Sequence, residues 1–249
     1  MAIKTELGPL GAETKIVNRQ HLDYVFCVPG HPSSGIQAIN LTTTILQLQA
    51  KGKSIGVFPA FSPSVYMVRN ACLGQRGFSI DQKPFQGAYD YDRIVWLDSD
   101  NIAKAEHIEA LTARDVPIVA GWSRQYSIGP INDDNNANCG TWQLEPRIPQ
   151  VNPGKSIQKS YTVGDMAKMK DLLEVDYVGM ALMVVKRGVF ESLEFPWFTA
   201  WEFEWEENGK IMRNLMTEDA GFCFRAREAG YKIFVDPTVC VQHEKRVML

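Results

Sequence analysis

The sequence predicts an α/β fold: a mostly parallel central sheet flanked by helices. Three observations predict it. In the first half of the chain, short apolar runs bounded by turn residues alternate with longer stretches of helical apolar spacing, the pattern of βα units. The run Ile94-Val95-Trp96-Leu97 leads directly into Asp98-Ser99-Asp100-Asn101, and such sheets bind ligands at the carboxyl ends of their strands. The chain has 249 residues, 45% hydrophobic and 22% charged. That suffices for one sizeable core, so a single domain over 1–249 is expected.

The elements follow in order. Residues 24–28 read as a strand stopped by Pro29-Gly30, and 36–50 as a helix ended by Gly52. A second strand is expected at 54–58. A second helix follows at 62–73, with Ser62 as N-cap, Pro63 in its first turn and Arg69 near its end. Strand 93–97, helix 103–112 and strand 117–120 complete this half. From 123 to 160 the pattern dissolves into a Pro-, Gly- and Asn-rich connection, long enough to read as a functional loop. Beyond it come a short helix at 166–173 and a strand or strand pair at 176–185 with Gly179 at a close approach. The chain turns away at 188–193, a helix from Thr217 to Gly230 follows, and strands are expected at 232–235 and 239–241. In the aromatic stretch before that helix, Trp197, Trp201 and Trp205 recur every four residues. The spacing fits a helical stripe, and a tryptophan face is also a surface for stacking on a sugar ring.

Composition excludes some classes of function. A net charge of -3 supplies no long-range attraction to phosphate backbones, so a nucleic-acid partner is not favoured. No run of about 18 apolar residues is present and the first twenty residues lack a signal-peptide core, so the expectation is a cytoplasmic protein with no membrane span. The 5 cysteines are widely spaced and mostly inside apolar stretches, which suits buried thiols better than a disulfide or zinc framework.

Asp98 and Asp100 carry the first chemistry. Side chains at i and i+2 on an extended backbone leave on the same side, so both carboxylates can face one cation. All-oxygen ligation favours Mg²⁺ or Mn²⁺, with a diphosphate completing the shell. The same four residues are also good turn and N-cap chemistry. A second acidic pair, Glu218 and Asp219, opens the helix Thr217-Glu-Asp-Ala-Gly-Phe-Cys-Phe-Arg-Ala-Arg-Glu-Ala-Gly230, where carboxylates also suit the helix dipole. His243 closes the last strand in phase with Val239 and Val241, the position of a core histidine as well as of a ligand.

Taken together, these motifs resemble the glycosyltransferase family 2 type of GT-A fold nucleotide-sugar transferases. In that family an acidic motif ends a strand, a helix opens as Glu-Asp-x-x-Phe-x-x-Arg-x-x-x-x-Gly, and a later strand ends in histidine. The resemblance implies a GT-A (Rossmann-like) single domain, with 1–122 as the nucleotide-sugar-binding half, 123–160 as the loop and 161–249 as the acceptor and catalytic half. It implies Asp98, Asp100 and His243 as metal ligands for Mn²⁺ or Mg²⁺. Pro29, Arg69, Asp98, Ser99 and Asp100 fall on the donor side, and Asp219 matches the general base, with Glu218 beside it as a structural or acceptor-binding group. Residues one apart on a helix diverge by about 100°, so the two acids of that pair cannot both face one hydroxyl. The implied reaction is inverting transfer of a sugar from a nucleotide-diphosphate sugar to a glycan, protein or small-molecule acceptor. The family's Pro-x-Tyr-Asn-Glu segment and its base-holding aspartate are replaced here by Cys27-Val-Pro-Gly-His-Pro-Ser-Ser34 and Pro59-Ala-Phe-Ser-Pro63, which leaves the nucleotide open. Two alternatives remain: a nucleotidyltransferase, and a non-catalytic binder of nucleotide sugars or carbohydrates. No Lys or Arg lies between Gly30 and Gly35 to make the basic phosphate loop a nucleotidyltransferase would carry.

Overall fold

The computed structural model describes residues 21–32, 34–77, 79–125, 137–144 and 158–244. In chain order the first half contains β1 (His21–Pro29), α1 (Gly35–Ala50), β2 (Ile55–Ala60), α2 (Val65–Cys72), β3 (Asp90–Leu97), β4 (Asn101–Ile102), α3 (Ala105–Thr112) and β5 (Ile118–Ser123). The second half contains β6 (Asn138–Leu144), β7 (Gln158–Thr162), α4 (Val163–Met166), β8 (Leu173–Val175), β9 (Tyr177–Val178), β10 (Leu182–Lys186), α5 (Val189–Ser192), β11 (Trp201–Glu207), β12 (Lys210–Met216), α6 (Glu218–Glu228) and β13 (Ile233–His243).

The central sheet runs β2-β1-β3-β10-β5-β13-β4, with β8 also paired to β13. β2, β1 and β3 are mutually parallel, as are β5 and β13, and β10 is antiparallel to both of its neighbours. This is the single α/β domain that the alternating pattern predicts. Side-chain alternation divides the core in two. Val25, Cys27, Ile94 and Trp96 pack with Cys72, Leu73, Phe190, Phe198 and Phe222 on one face, the side of α2 and α6. Phe26, Val95 and Leu97 pack with Leu48, Ile108 and Leu111 on the other, the side of α1 and α3. Period-2 strands buried on both faces explain the continuous apolar runs.

Several element boundaries differ from expectation, for identifiable reasons. α2 starts at Val65 with Ser64 as N-cap; the Ser62 hydroxyl instead accepts from the Ser64 N–H at 3.2 Å, so the turn ahead of the helix uses the serine assigned to its cap. α3 starts at Ala105 because Asn101 and Ile102 are taken into β4, paired with β13. The helix expected at 166–173 is α4, which lies earlier: Thr162 caps it through a reciprocal pair with Asp165, and 173–175 is strand β8. The 123–160 segment is not structureless throughout, since β6 and most of β7 fall within it; its remaining stretches lie outside the described residues. β9 and β10 are the expected strand pair, although β9 joins β6 and β10 joins the central sheet.

The tryptophan spacing is not helical. β11 and β12 form a hairpin across Asn208-Gly209, both at positive φ (52° and 70°), the geometry of the Asn-Gly turn that matches strand twist. Trp201 and Trp205 lie on β11, whereas Trp197 is fully buried in the preceding loop, its indole donating to the Phe190 carbonyl at 3.1 Å. The two last strands are one, β13, with its register shifting between Val235 and Cys240 around Pro237.

α6 is held close to this loop. A Cβ at Gly221 would sit 2.0 Å from the Thr199 carbonyl oxygen, whereas one at Gly35 would meet nothing within 4 Å. Gly221→Ala is therefore expected to cost about 1–3 kcal/mol or more through forced displacement, and Gly35→Ala to leave stability unchanged or slightly raised. Thermal or urea unfolding of the two variants checks this.

Candidate functional site

β3 carries the chain to the carboxyl edge of the sheet and ends there in a tight turn. The Asn101 N–H donates to the Asp98 carbonyl at 3.0 Å, closing Asp98-Ser99-Asp100-Asn101, and β4 then pairs antiparallel with β13 so that Asn101 opposes His243. The Glu244 N–H donates to the Asp100 carbonyl at 2.8 Å. Backbone pairing thus staples the acidic turn to the end of the last strand. The loop after β1 lies against it: Gly30 has φ +89°, and a Cβ there would meet the Ser99 hydroxyl at 3.0 Å.

This arrangement brings His243 Nε2 to 2.9 Å from Asp100 Oδ2. The other ring nitrogen, Nδ1, faces the Arg124 carbonyl at 3.4 Å. A carbonyl and a carboxylate both only accept, so the ring proton serves one of these two contacts or the other. Nε2 meets the carboxylate either by donating its proton or, with the proton on Nδ1, across a shared cation. Two ligand atoms at right angles around a small octahedral ion, each about 2.1 Å away, lie ~3.0 Å apart. The Asp100–His243 pair has that spacing, and a carboxylate with an imidazole is a donor set that Mn²⁺ accepts. Among the described residues no three His, Cys, Asp or Glu side chains form a metal shell by themselves.

Asp98 is engaged differently. Arg69, on α2 and 4% exposed, sets its guanidinium against both Asp98 oxygens, Nη1 to Oδ1 at 2.9 Å and Nη2 to Oδ2 at 3.3 Å. Its Nε donates to Glu218 Oε1 at 2.9 Å. One buried cation thus joins α2, the end of β3 and the start of α6. Burial works against the arginine's charge, yet the Asp98 and Glu218 carboxylates outweigh it and raise its pKa. Burial raises the Asp98 pKa, which Arg69 opposes and the nearby Asp100 and Asp219 charges reinforce.

At the start of α6 the two acids separate as a helix requires. Glu218 is buried against Arg69. Asp219 takes the Ala220 N–H on Oδ1 at 2.8 Å, along with the Thr217 hydroxyl. Its Oδ2 lies toward Gly179, where a Cβ would stand 3.5 Å away. These groups line a cavity of about 290 Å³ that brings together Arg69, Asp98, Asp100, Glu218, Asp219 and His243. Pro29 and Ser99 are not part of its lining: Pro29 ends β1 paired with Ala60, and Ser99 packs under Gly30. Sequence reasoning did not single out Asn101 or Thr217 as site residues, though both lie in the quoted motifs. Trp122, Gln125 and Gly140 also line the cavity and carried no sequence signal.

No family model matches the sequence, and no curated protein matches it. Among solved structures it is similar to GalNAc-T7, crystallised with UDP, GalNAc and Mn²⁺, with a TM-score of 0.52 and 12% identity. That match covers 91% of this chain and 44% of the GalNAc-T7 chain, so this chain spans less than half of that protein. It is also similar to A197 from STIV, with a TM-score of 0.49 and 14% identity over 92% of this chain and 98% of that one. The likeness to GalNAc-T7 shows the fold: this is a GT-A-like α/β domain. Among the described residues no helix is long and apolar enough to cross a membrane.

Removing Arg69 leaves two carboxylates without their cation. Arg69→Met is expected to cost about 3–5 kcal/mol at pH 7, and Arg69→Lys less, since it keeps the charge but loses the fork. The penalty should shrink toward pH 4. Arg69 is what opposes the rise of the Asp98 pKa, so without it burial and the Asp100 and Asp219 charges raise that pKa further. The folded variant then holds the proton more tightly than the unfolded chain, and its stability recovers as pH falls. Urea unfolding of the variants at both pH values checks the size and the sign.

Proposed function

We propose that the protein is a metal-dependent, inverting glycosyltransferase that moves a sugar from a nucleotide-diphosphate sugar to an acceptor hydroxyl. The observation that carries this reading is the charge of the cavity: among the described lining residues four carboxyl groups, Asp98, Asp100, Glu218 and Asp219, stand against one guanidinium, that of Arg69. A bare diphosphate would be repelled from such a cavity, and one entering with a divalent cation would be drawn in. The GT-A-like fold supports the reading, as do the UDP and Mn²⁺ with which its structural neighbour GalNAc-T7 was crystallised.

The roles follow from position. Asp100 and His243 would hold Mn²⁺ or Mg²⁺, which when bound supplies Lewis-acid stabilisation of the charge developing on the leaving diphosphate. Arg69 neutralises part of the acidic wall and holds Asp98 and Glu218 in place. Asp219 is the general base. Its Oδ1 is fixed by the Ala220 amide and the Thr217 hydroxyl, and Gly179, having no side chain, leaves room at Oδ2 for the acceptor hydroxyl. As the acceptor oxygen bonds to the anomeric carbon, its proton passes to Asp219 Oδ2 and the bond to the diphosphate oxygen breaks. Attack from the face opposite the leaving group inverts the anomeric centre, through a transition state with oxocarbenium character.

His31 and Phe61 stack at 4.3 Å at the carboxyl ends of β1 and β2, with Phe61 exposed. Phe61 stands where the family's base-holding aspartate is missing and His31 in the segment that replaces Pro-x-Tyr-Asn-Glu, and we assign the pair the donor's nucleobase. A non-catalytic binder would share all of these contacts, so turnover separates the readings. With Mn²⁺ and the preferred donor, the protein is expected to release nucleoside diphosphate slowly to water. Asp219→Asn should lower transfer to an acceptor by about 10²–10⁴-fold while donor affinity changes little. Donor binding without any release of diphosphate would contradict the enzyme reading.

A further inference from the structure

We propose that Asn101 sets the preference of the site for a small divalent cation, Mn²⁺ or Mg²⁺, over Ca²⁺. The inference rests on the cation reading of Asp100 and His243. Asn101 is 2% exposed, and its Nδ2 donates to Asp100 Oδ1 at 3.0 Å, while Asp100 Oδ2 is the oxygen turned to His243 Nε2 at 2.9 Å. A carboxylate only accepts, so the amide must present its nitrogen to Asp100. Its own oxygen is thereby left buried without a hydrogen-bond partner among the described residues. A side chain serving only to pack would avoid that cost. Holding Asp100 is what the orientation accomplishes.

The consequence is chemical. With Oδ1 occupied by Asn101, a cation shared with His243 is met by Oδ2 alone. Single-oxygen ligation suits the octahedral shell of Mg²⁺ or Mn²⁺, whose ligands lie at about 2.1 Å. Ca²⁺ prefers six to eight oxygens at about 2.3–2.6 Å and commonly takes both oxygens of a carboxylate. The backbone of Asn101 is anchored independently, to the Asp98 carbonyl and to His243 across the β4–β13 ladder. Its side chain can therefore be changed without dismantling the turn.

The test uses the full chain and the metals alone. Mn²⁺ affinity is read from the free-ion paramagnetic resonance signal, and Ca²⁺ affinity from competition against it, for wild type, Asn101→Leu and Asn101→Ala. Both variants should melt cooperatively; if Leu does not fold, Ala carries the comparison. Wild type should bind Mn²⁺ more tightly than Ca²⁺. Loss of an outer-shell partner should weaken Mn²⁺ by roughly 10-fold and leave Ca²⁺ unchanged or tighter, so that the Ca²⁺-to-Mn²⁺ ratio of Kd values falls about tenfold. A purely structural side chain would shift both Kd values together, so an unchanged ratio in a folded variant overturns the inference and leaves the cation reading intact. Absence of Mn²⁺ binding by the wild type overturns both.

Discussion

The ion pair of Arg69 with Asp98 and Glu218 is the constraint on which the site depends. It joins an α2 residue from the first βα units to the end of β3 and to the first residue of α6, positions far apart in sequence that the sheet order brings to one edge. Burying a guanidinium is costly unless its donors are met by carboxylates, and here two carboxylates meet it. The strut fixes where α6 begins and so where Asp219 points. It also uses up the charge of Asp98. Asp100 and His243, the pair proposed for the cation, are held by backbone ladders and independent of Arg69.

Division of labour between adjacent acids recurs on both sides of the cavity. Asp98 and Glu218 turn to Arg69, while Asp100 and Asp219 line the cavity beside them without that partner. In the strand-end turn the separation comes from the bend between Asp98 and Asn101; in α6 it comes from the angular step of a helix. Each motif thus supplies one carboxylate paired with Arg69 and one that is not, and all four line the cavity. The excess of negative charge that remains is what a cation-bound diphosphate would complement.

Much of this was legible in the sequence, because the signals were local. Continuous apolar runs within 24–28 and 93–97 located strands buried on both faces, and Gly30 and Gly230 marked turns that have positive φ. Placing Asp98 and Asp100 at the carboxyl end of β3 needed only the position of that strand. The misses arose where two local signals competed. Ser62-Pro63 looked like a helix start, but the chain uses Ser62 in the preceding turn. Tryptophans four apart fit a helix, yet Asn208-Gly209 carried a stronger hairpin signal that the spacing obscured. What no local pattern could give was partnership across the fold. The engagement of Arg69 with two carboxylates depends on α2 and α6 packing against the same sheet face. The opposition of Asn101 and His243 depends on a two-residue strand too short to announce itself.

With Asp100 as the pivot of a cation-dependent nucleotide-sugar site, donor binding must require both the metal and that carboxylate. Thermal stabilisation of the protein by a panel of nucleotide-diphosphate sugars, with and without Mn²⁺, in wild type and Asp100→Ala, tests this requirement. Stabilisation by one nucleotide class that needs Mn²⁺ and disappears in a well-folded Asp100→Ala protein is the predicted result. Failure of every donor to stabilise the wild type, or equal stabilisation of both proteins without metal, would contradict it and return Asp98 and Asp100 to the role of turn residues.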